Sequence, residues 1–166
     1  MKRRKAESGA VMLEAAVVLV PFFALFFAMI DYGMAIFLKN TMQFAVRQGA
    51  RYAVTSQTAA GLGHDASIKA VVNQYSMGFL NYVAPAGAGR PCSGTGCIAI
   101  NYYTPNTLTL VTGAGSNVGG NIVEVTASNL SWAWMVPLLR STTPLTFSVT
   151  SADVMEASPN GIPPAR

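Results

Sequence analysis

Charged side chains are scarce in this chain. Asp, Glu, Lys and Arg make up 11% of its 166 residues, against roughly a quarter in an ordinary soluble domain. There is one histidine, His64, and there are two cysteines, Cys92 and Cys97. That pool is too thin for a zinc site, which needs three or four Cys, His or carboxylate ligands, so no metal is expected. No GxSxG turn supports a serine nucleophile, and the phosphate-loop and dinucleotide patterns are missing, since GAGSNVGG lies between strand candidates with no helix after it. Neither an enzyme nor a cofactor is therefore expected; a rival periplasmic enzyme would have to rest on His64 and Asp65. The pI near 9.3 invites a nucleic-acid reading, but the excess charge is local. Lys2, Arg3, Arg4 and Lys5 against Glu7 supply +3 of the total +4, which leaves residues 10–166 with +1. No basic face remains to follow phosphates, so no nucleic-acid partner is expected.

What is present is a long apolar run. Residues 10–30, AVMLEAAVVLVPFFALFFAMI, hold one charge, Glu14. As a helix they reach roughly 31 Å, close to the hydrocarbon thickness of a bilayer. The basic residues stand directly before the run and the nearest cation after it is Lys39. That asymmetry predicts a single pass through a bacterial inner membrane, with the N-terminus cytoplasmic and everything after about residue 31 periplasmic. A cleaved secretory signal fits poorly, because the run exceeds the usual apolar core and its helical pattern continues.

The continuation is amphipathic. Leu38, Met42, Ala45, Gly49 and Tyr52 recur at steps of four and three, while Lys39, Asn40, Gln43, Arg47 and Arg51 lie on other faces. One helix is expected over residues 10–54, its first half in lipid and its second half against a soluble domain. Pro21 has no N–H for the Val17 carbonyl, which predicts a kink, though proline is also tolerated in membrane helices. Gly33 and Gly49 either allow another helix to approach closely or are simply tolerated.

Residues 55–65, TSQTAAGLGHD, read as a loop. A second helix then follows, capped by Asp65 or Ser67 and ending near Asn81, with Ile68, Val71, Val72, Tyr75 and Phe79 on its apolar face. Residues 84–97 are rich in glycine and proline and read as a connection. Four strand candidates complete the chain: CIAINYY, TLTLVT, NIVEVTASNL and LTFSVTSADVM. Between the last two, SWAWMVPLLRSTTP reads as a loop over one end of the sheet. Its tryptophans, Trp132 and Trp134, suit either core packing or a recognition surface. Residues 159–166 read as a flexible tail.

Cys92 and Cys97 enclose SGTG. In an oxidising periplasm a disulfide pinning this link is expected, with free thiols or a redox pair as the alternatives. Glu14 has two readings. It is an interfacial glutamate reaching back to the headgroups, or, if the bond after Gly9 is cut, it is the fifth mature residue. In the second case the new amine of Ala10 could neutralise the glutamate of a neighbouring subunit in low dielectric.

RRKAESGAVMLE, a basic leader ending in glycine with glutamate five residues on, resembles a type IV prepilin processing site. GAVMLEAAVVLVPFFALFFAMIDYGMAIF followed by FAVRQGARYAV resembles the TadE-like pseudopilins of tight-adherence (Flp-type) pilus systems. The resemblance is carried by the proline-containing span with Pro21, by Asp31, Tyr32 and Gly33, and by Arg47, Gly49, Ala50, Arg51 and Tyr52. PLLRSTTPLTFSVTSADVMEASP is similar to the C-terminal end of such proteins. Gln48 and Ala15 depart from the family pattern, which often has glutamate and an aromatic residue there.

Four short strands with turn-length links favour an α+β fold, a small antiparallel sheet packed against the long N-terminal helix with one extra helix; the resemblance implies that this fold is pilin-like, with the helix membrane-spanning in its first half. It divides the chain into a cleavable basic leader (1–9), the helix (10–54), an extracytoplasmic domain (55–158) and the tail. Gly9, Ala10 and Glu14 become processing residues. Glu14, Pro21, Asp31, Tyr32, Gly33, Arg47, Gly49, Arg51 and Tyr52 become assembly or anchoring residues. The implied partners are a prepilin peptidase, other pilins and pseudopilins, the pilus platform proteins and the inner membrane. The rival reading is an uncleaved single-span anchor displaying a periplasmic module that binds a ligand or a protein.

Overall fold

A computed structural model describes residues 4–81, 97–135 and 144–166, the side chains of 4–8 and 81 excepted. The arrangement is α+β: a long apolar helix, a second helix and a four-stranded antiparallel sheet. Helix α1 spans Arg4–Val54, about 76 Å at 1.5 Å per residue. It starts inside the basic leader and runs unbroken past Pro21. The expected apolar stripe is the packing face, since Leu38, Met42 and Ala45 are buried. Ala35, Val46, Ala50 and Ala53 are buried too, because this half of α1 meets the sheet on one side and α2 on the other.

Helix α2 spans His64–Tyr75. It is not capped by Asp65 or Ser67. Its N-cap is Gly63, which offers no side-chain bond; the first amide, that of His64, donates instead to Ala165 O at 2.7 Å. A distant segment therefore replaces the local cap. Ser67 Oγ donates to Gly63 O at 2.8 Å and accepts from Ala59 N–H at 2.9 Å, which ties the 55–63 loop to α2. The helix also stops short of Asn81. Met77 and Gly78 both take positive φ (53° and 81°), which no helix continues through, and Phe79–Asn81 is a separate 3₁₀ turn.

The strands are β1 (Ile98–Tyr103), β2 (Leu110–Val111), β3 (Ile122–Trp132) and β4 (Leu145–Val154), in spatial order β2-β1-β3-β4. TLTLVT yields only the two residues of β2. The hydroxyls of Thr104, Thr107 and Thr109 cluster at 2.6–2.8 Å and hold the preceding residues in a turn, with Leu108 at φ 51°. In β3 the buried residues alternate as Val123, Val125, Ala127 and then Leu130, Trp132. The three-residue step is a β-bulge between Ala127 and Leu130, with Asn129 at φ 56°. A slip of one residue would normally turn the rest of the strand outward. The bulge absorbs it and keeps Leu130 and Trp132 facing α1.

Trp132 thus ends a strand rather than starting a loop, and residues 136–143 of the expected loop lie outside the described residues. So do the link 82–96, with Cys92, and residues 1–3 of the leader. Cys97 is not a free thiol. The 159–166 segment, expected to be flexible, is instead tied to α2 and the 113–117 turn. Asn117 Nδ2 donates to Pro164 O at 2.9 Å, and Arg166 pairs with Asp65 at 2.8 Å.

Candidate functional site

Three groups of candidate residues are strung along α1 rather than gathered at one point. Glu14 and Arg51 are 37 residues apart, roughly 55 Å along a helix.

The first group lies at the start of the span. Gly9, Ala10 and Glu14 are exposed, and nothing comes within 4 Å of a Cβ built on Gly9. From Val11 to Ile30 the helix has no tertiary cover except partial shielding of Ala24 and Ala28. Phe22, Phe23, Phe26 and Phe27 form a ladder of rings with centroids 5.7–6.0 Å apart. Residues 9–54 meet the length and composition of one membrane-crossing helix. Among the described residues Glu14 has no hydrogen-bonding or ionic partner in the chain.

The second group is the junction. Asp31 is only 2% exposed. Trp132 Nε1–H donates to its Oδ1 at 3.0 Å and the Met135 amide donates to its Oδ2 at 2.9 Å. Its carboxylate thus ties the last turn of the span to the end of β3. Beside it the Tyr32 and Trp134 rings lie 4.9 Å apart, tilted by 58°. Nothing approaches a Cβ placed on Gly33.

The third group lies at the domain end. Gly49 lets α2 cross α1: a Cβ there would collide with Val72 Cγ2, with Ile68 Cγ2 3.6 Å away. Arg47 and Arg51 are exposed and Tyr52 is half-buried. Arg51 and Tyr52 line a groove of about 370 Å³ with Gln48, Thr55, Gln74 and Tyr75. The ring of Tyr75 also meets Phe44 edge-on at 5.8 Å.

His64 does not sit in an open loop. It is fully buried, with Nδ1 at 3.1 Å from Tyr102 Oη and 3.2 Å from Asn117 Nδ2. Burial pushes the His64 pKa below its ordinary value of 6.5, against the opposing charge of Asp65. Tyr102 donates its hydroxyl to Asp65 Oδ1 at 2.9 Å. Burial, followed by the Asp65 charge, raises its pKa far above the ordinary range. Arg166 stacks on the Tyr102 ring at 4.7 Å. These groups clasp α2, β1, the 113–117 turn and the tail together.

Residues 9–51, from the glycine before the span to the arginine in the groove, match the family model of TadE-like proteins. The N-terminal helix is TadE-like. The match is consistent with a TadE-like protein of a tight-adherence pilus system, and it implies a role in assembling such a pilus. No curated protein and no solved structure matches the chain. The TadE-like stretch contains Gly9, Ala10, Glu14, the junction residues and Gly49, and Tyr52 lies one residue beyond it. Two partnerships were not legible in the sequence, because each joins residues far apart: Asp31 with Trp132, and His64 with Tyr102 and Asn117. The isolated acid closing an apolar run was the one available signal for the first.

Proposed function

We propose that the protein is a minor pseudopilin or assembly factor for an adhesive Flp-type pilus, and that a prepilin peptidase cuts its leader between Gly9 and Ala10. The observation that carries this reading is the bare span with its single unpartnered carboxylate, five residues after Gly9. A charged carboxylate at the centre of a span costs about 2.5–3.5 kcal/mol, and less toward the edge. Cleavage creates a cation, the Ala10 amine, within the same stretch of a neighbouring subunit. Pairing that amine with Glu14 offsets the cost only when the helices stack in one register, so the pair sets the stacking. Pilins, pseudopilins and the platform proteins are the corresponding partners.

The four cations of the leader hold the cleavage site at the cytoplasmic face of the inner membrane and place the domain in the periplasm. There Cys92 and Cys97 form a disulfide that pins the link before β1. N-terminal sequencing of the mature protein tests the processing: a start at Ala10 supports it, and an intact leader in cells with active peptidase overturns it. One observation favours the second reading, an uncleaved anchor displaying a binding module. This is the groove beside Arg51, whose amide, phenol and guanidinium groups suit a polar ligand.

A further inference from the structure

We propose that the Tyr32–Trp134 edge of the domain docks onto the outer-leaflet headgroup region of the bilayer, giving the protein a second membrane contact beside its span. The proposal rests on the membrane-spanning reading of α1. The headgroup zone is roughly 5–8 Å deep on each side of the hydrocarbon core. Tyr32 and Met34 lie two and four residues past Ile30, roughly 3 and 6 Å along the helix. They therefore fall within that zone. β3 returns to this same level, because Asp31 holds the Trp132 indole and the Met135 amide. Trp134 packs against Tyr32 with the rings tilted by 58°, and both Tyr32 (56%) and Met135 (54%) remain exposed.

The charge pattern fits the same depth. Between Asp31 and Lys39 the helix reads YGMAIFL, without a charged side chain. Asp31 itself is covered and bonded inside the protein, so it presents no anion to the headgroups. Ile36 and Phe37 continue the exposed apolar surface one turn further. Amphipathic tyrosine and tryptophan rings concentrate at this level of membrane proteins, with the ring body apolar and the polar tip wet. The patch is continuous with the span, which makes lipid its occupant. Docking there fixes the tilt of the domain, so that the groove beside Arg51 stands well above the membrane.

The chain has two tryptophans, so the test is optical. The full-length W132F variant, which keeps Trp134 as its sole tryptophan, is reconstituted into phosphatidylcholine vesicles. The vesicles contain phosphatidylcholine brominated at carbons 6 and 7 of one acyl chain. Emission falling at least twofold relative to unbrominated vesicles is the expected result, together with weak quenching by aqueous iodide. Strong iodide quenching with no effect of bromine overturns the proposal. So does protection from both quenchers, which would place a protein partner on the patch. If W132F misfolds, the W134F variant serves: it is expected to lose at least half of the bromine quenching seen in the parent, and unchanged quenching overturns the proposal. Vesicle flotation separates the two readings. A chain that floats while Trp134 stays unquenched overturns the docking alone, whereas a chain that does not float overturns the span as well.

Discussion

Trp132 donates its indole N–H to the carboxylate of Asp31 over 3.0 Å, joining two residues 101 positions apart. The bond lies where the bare apolar half of α1 gives way to the half that carries the domain. Replacing Asp31 with alanine leaves the indole and the Met135 amide without this acceptor. At about 1–3 kcal/mol for each of the two donors that loses this acceptor, a destabilisation of about 2–6 kcal/mol is expected. Asp31→Asn keeps one acceptor oxygen and should lose less. Urea unfolding of the two variants in detergent, followed by tryptophan emission, checks the order.

Gly49→Ala sets two effects against each other. Alanine gains about 1 kcal/mol of helix propensity over glycine. The added methyl collides with the branched Val72 side chain, and overpacking costs about 1–3 kcal/mol. Net destabilisation is expected. The double variant Gly49→Ala, Val72→Ala should lose less than the sum of the two single losses. Strict additivity in that cycle would show that α1 and α2 do not meet here.

Stability should depend on pH through His64. Its folded pKa lies below the ordinary 6.5 because burial opposes the charge. Between those two values the unfolded chain binds the proton and the folded chain does not. This contribution is therefore fully present above about pH 6.5 and is lost as the pH falls toward the folded value. Asp65 and Arg166 face the ring with opposite signs, and Tyr102 and Asn117 complete its surroundings. Unfolding measured from pH 8 down to 5 should show the decline, and His64→Gln should flatten it.

Processing is read from mass. The chain averages 17.5 kDa over 166 residues, so nine residues weigh about 1 kDa. Gly9→Leu should leave a protein heavier by that amount in cells with active peptidase, and identical masses would remove the cleavage.

The disulfide is read by alkylation. Native exported protein should take up no alkylating reagent until a reductant is added, and then two equivalents. Two thiols labelled without reductant would place the cysteines apart.

The span, its orientation signals and the apolar stripe on α1 were legible because each rests on residues near in sequence and on a helical period that needs no partner. The alternation of β1, β3 and β4 was legible for the same reason. The end of α2 was less so: Ser76 and Met77 carry no strong stop signal, and only the left-handed Met77 and Gly78 show where the helix ends. The threonine turn before β2 was hidden similarly, because TLTLVT alternates like a strand while its hydroxyls satisfy one another.

By itself, then, the sequence determined a membrane-length helix with a basic head, its continuation into a domain, and an α+β class. These follow from hydrophobic periodicity and charge placement, which are local. Only the tertiary structure decided that Asp31 faces inward to Trp132, that Gly49 is where α2 crosses, and that Ala165 and Arg166 supply the cap and ion pair of α2. Each depends on chain segments that meet only after folding, where burial makes a hydrogen bond or one missing methyl group decisive.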